Sequence, residues 1–86
     1  MQIGEFHRIV DAERLRRFLH EGAPEESPSS RVCVFPDGAQ WATVWTDERA
    51  AVVTKTRRTF DSRREALDEA VDALRLLRDL EEYRPG

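Results

Sequence analysis

The chain has 86 residues, with 14 Lys and Arg, 17 Asp and Glu, two His and a single Cys, and a formal net charge of −3 at pH 7. This length allows one domain with a thin core, and the lone Cys excludes an internal disulfide or a paired-cysteine metal site. No apolar run approaches the roughly 18 residues of a membrane span. Because the N-terminus has no signal-peptide pattern and the Cys is unpaired, we expect a small cytoplasmic protein of bacterial or phage origin without a membrane partner.

The N-terminal part of the chain predicts an irregular or extended arm over residues 1–10 and a short helix over 12–21. Asp11 stands where the N-cap of that helix is expected, and Gly22 stands at the position that typically ends a helix. The following GAPEESPSS, residues 22–30, is rich in Pro and Ser and predicts a linker.

The middle of the chain, residues 31–60, predicts a three-stranded antiparallel meander. Its strands cover 31–35, 40–45 and 50–58, and they are rich in β-branched and aromatic residues. Pro36-Asp37-Gly38 is a favourable turn, which we read as a three-residue loop. Short connections make neighbouring strands antiparallel.

The last segment, 62–83, carries the clearest pattern. Ser62 and Glu65 form a capping box at the start of a helix, and Pro85 stops it. Apolar residues follow at helical spacing, at positions 66, 67, 70, 71, 74, 77 and 80. The predicted fold class is therefore α+β: a short N-terminal helix, a three-stranded antiparallel sheet, and a long C-terminal helix packed on the sheet, all within one domain, 1–86.

Strand parity predicts an unusual sheet that is apolar on both faces. With a three-residue first loop, paired residues that share a face divide into two sets. One set is aromatic and contains Cys33, Phe35, Trp41, Thr43, Trp45, Val52 and Thr54, and the other is aliphatic and contains Val32, Val34, Ala42, Val44, Ala51 and Val53. Either a helix covers each face, or one face is an interface with a partner or a second copy. A bulge in the second hairpin would swap the faces of the third strand.

Charge is distributed unevenly along the chain. Residues 31–64 have seven basic and four acidic residues, whereas 65–86 have three basic and seven acidic residues. The basic residues of the third strand and the helix start lie near Trp side chains, which could contact phosphates and stack bases. The acidic outer side of the last helix suits a basic protein partner.

The side chains that carry most catalytic chemistry are few. His7 and His20 have no acidic residue or Cys at metal-ligand spacing, and Cys33 lies inside a strand, where we expect it to be a buried apolar residue. No Gly-rich phosphate loop is present. We therefore predict no catalytic residue, no metal, no cofactor and no enzymatic activity.

Residues 38–76 carry a resemblance to known modules. Gly38-Ala39-Gln40-Trp41, a second strand, and Thr59-Phe60-Asp61-Ser62-Arg63-Arg64-Glu65-Ala66-Leu67 opening a helix resemble the sheet-plus-helix module of AP2-like and phage-integrase arm-binding domains, and small bacterial domains of unknown function. In the AP2-like families the sheet enters a DNA groove. The resemblance implies that role for Trp41, Lys55 and Arg57.

Together these patterns predict a small regulatory or inhibitory protein that binds another protein through its sheet face and charged flanks. The predicted contact residues are Phe35, Trp41, Trp45, Lys55 and Arg57. The alternative is a nucleic-acid-binding module that uses Trp41, Lys55, Arg57, Arg58, Arg63 and Arg64. A homodimer formed through the sheet is a third hypothesis.

Overall fold

The computed structural model describes residues 1–83, and the predicted helix stop at Pro85 lies outside them. The fold is α+β, with an N-terminal helix and a long C-terminal helix on a sheet. The elements are α1 (Ile3–Ala12), β1 (Leu19–Glu21), β2 (Val32–Asp37), β3 (Gln40–Thr46), β4 (Val52–Phe60) and α2 (Arg63–Glu82), with short 3-10 turns at Arg16–Phe18 and Pro24–Glu26.

The sheet has four strands in the order β1-β2-β3-β4 and is mixed, so the prediction of a three-stranded antiparallel sheet is wrong. The antiparallel meander is present as β2, β3 and β4. The additional strand, β1, pairs with β2 in parallel, with Leu19 opposite Val32. Three residues are too few to show a strand periodicity, and this one lies in a segment with apolar residues at helical spacing.

The first helix covers Ile3–Ala12, so the predicted arm over 1–10 and the predicted helix over 12–21 are both wrong. Phe6 and Val10, four residues apart, are fully buried and hold the helix against the core. An isolated helix of this length is marginal, so its packing decides its position.

The helix α1 ends without the glycine that usually marks a helix C-terminus in a sequence. The amide of Leu15 donates to the Val10 carbonyl at 2.8 Å and that of Arg14 to the Asp11 carbonyl at 3.2 Å, which is a Schellman ending. Arg14 takes a φ of 56° there, at the position where Gly is usual. Asp11 consequently lies in the last turn of α1 and not at an N-cap. Gly22 follows β1 and ends no helix.

Glu13, directly after α1, ties this helix to α2. Its carboxylate accepts hydrogen bonds from Nε and Nη2 of Arg75 at 2.9 and 2.6 Å, and from Nη1 of Arg78 at 3.1 Å. The hydrogen bond from Arg75, assisted by Arg78, lowers the pKa of Glu13. The carboxylate therefore stabilises the packing of the two helices when it is ionised.

Replacing Glu13 by Gln should lower the free energy of unfolding by about 1 kcal/mol at neutral pH. Because the folded-state pKa lies below its ordinary value of 4.5, the contribution is complete above that value and is lost as the pH falls through the folded-state pKa. Urea unfolding of both proteins from neutral to strongly acidic pH checks this. The exposed Glu48→Gln is the control, and a stability gap that persists in acid contradicts the account.

The sheet separates two cores. The helix face, which contains Val32, Val34, Trp41, Thr43 and Trp45, packs on α1 and α2. The opposite face, which we call the crossover face, holds a second small core of Cys33, Phe35, Ala42 and Val44, with Val52 beside it.

The 3-10 turn Pro24–Glu26, within the predicted linker 22–30, contacts β3, and both Pro24 and Ser27 are buried. The segment between β1 and β2 is therefore packed against the sheet.

The register of the first hairpin differs from the prediction. Asp37 pairs with Gln40, so the turn has two residues, Gly38 and Ala39, and not three. Of these two, only Gly38 has a positive φ, 63°, as in a type II′ turn. The observed pairing of β2 with β3 differs from the predicted pairing by an odd number of residues. Relative to the side chains of β2, each side chain of β3 therefore lies on the face opposite to the predicted one. The predicted aromatic face is therefore divided: Cys33 and Phe35 lie on the crossover face, and both Trp residues lie on the helix face.

Gly38→Ala should lower the free energy of unfolding by about 1 kcal/mol, because an L-residue with a Cβ is strained at this φ. No atom lies within 4 Å of the added Cβ at Gly38 or at Gly4, so the effect at Gly38 is conformational and not steric. Gly4→Ala, inside α1, is the matched control and should raise stability by about 0.5 kcal/mol. Chemical denaturation measures both, and equal effects of the two substitutions contradict the assigned turn.

Candidate interaction surface

The structure divides the five predicted partner-binding residues among three places. Phe35 and Arg57 lie on the crossover face, Trp41 lies beside the start of α2, and Trp45 and Lys55 share a groove between β4 and α2. The inverted face of β3 causes this separation, because it moves both Trp residues away from Phe35.

Phe35 and Arg57 stabilise the fold where they stand. Phe35 is 8% exposed, and the Arg57 guanidinium lies 5.5 Å from the centre of its ring. Arg57 also forms an ion pair with Asp37 at the end of β2. The aromatic ring is thus covered by a cation that is itself paired, which leaves little apolar surface for a partner.

Trp41 is half-buried, and its ring carries the Arg63 guanidinium at 5.1 Å. A small cavity of about 150 Å³ lies next to it, between the end of β2 and α2. Because Arg63 occupies a face of the indole, that face is not open for stacking with a base.

The second hairpin contains a large β-bulge. Thr43 pairs with Arg58 and Trp45 pairs with Val53, so residues 54–57 of β4 oppose the single residue Val44. Three extra residues bend β4 locally and reverse its faces, as expected for an odd insertion. The bulge brings the exposed Lys55 beside Trp45 at the rim of the sheet.

Thr56 closes the bulge with its side chain. Its Oγ1 accepts a hydrogen bond from the amide of Trp45 at 2.9 Å and donates to the carbonyl of Val53 at 2.7 Å. The side chain thus satisfies a strand amide that would otherwise lack its ladder partner.

Thr56→Val keeps the shape of the side chain and removes both hydrogen bonds, so it should lower the free energy of unfolding by about 1–2 kcal/mol. Thr54→Val, two residues earlier and exposed, is the control and should remain near wild type. Denaturation followed by tryptophan fluorescence measures both. Equal stability of the two variants contradicts the assigned role of Thr56.

The β4–α2 groove is an open depression of about 400 Å³. Trp45, Ala73 and Leu76 give it an apolar floor, and charged side chains form its rim. It is lined by Thr43, Trp45, Lys55, Thr56, Arg58, Glu69, Asp72, Ala73 and Leu76. The groove exists because α2 makes most of its sheet contacts with β2 and β3 and few with β4.

The apolar surface continues along α2. Leu76, Leu80 and Tyr83 are 54%, 56% and 88% exposed, and their spacing of four and three residues places them on one side of the helix. We call these three residues the α2 stripe. The predicted core stripe included Leu80, and this assignment is wrong because Leu80 lies outside the buried side of α2. In the sequence, this surface is indicated by Leu76, an apolar residue that does not fit the predicted spacing of the core positions.

The residues of the nucleic-acid alternative are mostly engaged within the chain. Arg57 is paired with Asp37, and Arg58 lies 3.4 Å from Glu69. Arg63 stacks on Trp41. The side chains of Lys55, Arg63 and Arg64 form no ion pair among residues 1–83. Acidic side chains therefore lie among the basic residues of the surface that the composition of residues 31–64 predicts to be basic.

Groups with catalytic potential are dispersed over the described residues. Burial raises the pKa of the Cys33 thiol, an effect that a hydrogen bond with Ser27 opposes in part. His7 lies 3.0 Å from a carboxylate oxygen of Glu21, and the buried Nε2 of His20 has no hydrogen-bond partner. Within residues 1–83, no group of three or more His, Cys, Asp or Glu side chains could hold a metal ion.

None of the helices that the structure describes is both long enough and apolar enough to cross a membrane. Comparisons with protein-family models, with curated proteins and with solved structures found no match to this chain.

Proposed function

We propose that this chain is a small non-enzymatic regulatory or inhibitory protein of a bacterial or phage cytoplasm, and that it binds another protein in the β4–α2 groove. The supporting observation is the apolar surface formed by Trp45, Leu76 and Leu80 in a chain of which 36% of residues are charged. Large apolar side chains that lie together in solvent are a feature of protein-binding sites.

The occupant of the groove is an amphipathic helix of the partner. The α2 stripe runs about 10 Å along the helix axis, which is a suitable length for the apolar residues of a second helix lying beside it. An added strand on the β4 edge is disfavoured, because Lys55, Arg57 and Arg58 place positive charge along that edge and the bulge bends it.

Protein binding is favoured over nucleic-acid binding by the pairing of the basic residues. A phosphate backbone would have to compete with Asp37 for Arg57 and with Glu69 for Arg58. The formal net charge of −3 adds a long-range repulsion. A helix with mixed charges at its edges meets neither penalty.

A display library of amphipathic helical peptides, selected on the immobilised protein, tests this function. Selected peptides should bind wild-type protein and lose at least about tenfold in affinity for the Leu76→Gln/Leu80→Gln double variant, since both substitutions remove apolar contact area. Both residues are more than half exposed, so the variant should fold. Titration followed by tryptophan emission provides the affinities.

The control is Ala39→Gln, an exposed position in the turn between β2 and β3, distant from the groove. Peptides should bind this variant as they bind wild type. Peptides that bind the double variant as well as wild type, or a library that yields no peptide sensitive to the two leucines, contradict the proposed site.

A further inference from the structure

Two opposite charges in the β4–α2 groove take part in no close ion pair among residues 1–83. The side chains of Lys55, on the strand side, and Asp72, on the helix side, are exposed and form no ion pair or hydrogen bond among residues 1–83. The hydrogen bonds of Arg75 go to Glu13 and raise the pKa of that guanidinium, and Asp72 is near enough to Arg75 to help raise it. The other two charged residues of the groove, Arg58 and Glu69, are paired with each other. Within the described part of the chain, the groove thus presents a cation and an anion outside any close ion pair, on either side of an apolar floor.

We propose that a second copy of this chain occupies the groove, with its α2 lying antiparallel beside α2 of the first copy near Leu76. This inference rests on the proposed function, since it assigns an occupant to the same site. A two-fold axis places Lys55 of each copy against Asp72 of the other, so both charges are neutralised in one symmetric contact.

The α2 helix matches the occupant that the groove requires. Asp72, Leu76 and Leu80 are spaced by four residues and lie on one side of the helix. A helix that places Asp72 beside Lys55 of the other copy therefore also places the two leucines in the groove. A two-fold contact is isologous, and each copy then contributes both a groove and a helix. Leu76 becomes buried in both copies at once.

This self-pairing regulates the proposed function. A partner helix and the second copy use the same apolar floor, so the dimer masks the site and a partner binds by dissociating it. Protein concentration and ionic strength then set how much of the groove is free, because salt weakens the Lys55–Asp72 contacts at the rim.

Sedimentation velocity of the full chain over a concentration series tests the pairing by charge reversal. Wild type should be a dimer with a micromolar dissociation constant. Lys55→Glu and Asp72→Lys should each weaken it by about tenfold or more, because each single reversal places like charges together twice in the symmetric contact. The double reversal, K55E with D72K, restores opposite charges and should return the constant to within about threefold of wild type.

Glu48→Lys, an exposed acid in the β3–β4 turn outside the groove, is the control for the change of net charge and should dimerise like wild type. Circular dichroism confirms that each variant is folded. Wild type that is monomeric at millimolar concentration, or a folded double reversal that stays as weak as the single variants, overturns the pairing. A monomeric wild type that still binds a leucine-sensitive peptide overturns only the self-pairing and leaves the proposed function intact.

Discussion

The two-residue turn between β2 and β3 determines which side chains of the sheet meet the helices. Gly38 accepts the positive φ that this turn requires, and the resulting register decides which side chains of β3 face the helices. Trp41 and Trp45 are therefore partly buried against the core under α2, and the small residues Ala42 and Val44 lie on the crossover face. A three-residue loop at this point would exchange these two sets and leave two indoles on a face that the Pro24–Glu26 turn is too small to cover.

The helical layer is narrower than the sheet that it covers, and the interaction surface results from this mismatch. The helix α1 packs beside α2, and α2 makes its main sheet contacts with β2 and β3. At the other edge, α2 makes few contacts with the bulged strand β4, and the groove lies between them. Leu76 and Leu80 border this space and stay half exposed. Of the four charged residues around the groove, Arg58 and Glu69 pair with each other, whereas Lys55 and Asp72 form no close ion pair among residues 1–83.

Local patterns predicted the parts of the fold that local interactions determine. The N-cap of α2 forms as predicted, with the Glu65 amide donating to Oγ of Ser62 at 3.3 Å. By contrast, α1 ends at Arg14 in a conformation where Gly is typical, and β1 has only three residues. Neither feature has a local sequence signal strong enough to compete with the apolar spacing around Leu15.

The groove was only partly predictable for a related reason. Trp45 and Lys55 were predicted as contact residues and do lie together in it, but Leu76, Leu80 and Tyr83 were not. Their exposure follows from where α2 lies across the sheet, and that position depends on tertiary packing. The bulge opposite Val44 also depends on the side-chain hydrogen bonds of Thr56 with Trp45 and Val53, which strand propensities do not show.

Both proposals place binding in the groove between β4 and α2, and not on the crossover face or at the end of the sheet near Trp41. Amide and indole chemical shifts, followed by NMR from micromolar to millimolar protein concentration, test it most directly. Concentration-dependent shifts are expected at the Trp45 indole, at Lys55 and along Asp72, Leu76 and Leu80, with the Trp41 indole and the amides of Cys33 and Phe35 unchanged. Shifts centred on Phe35 and Arg57, or on Trp41 and Arg63, would contradict it.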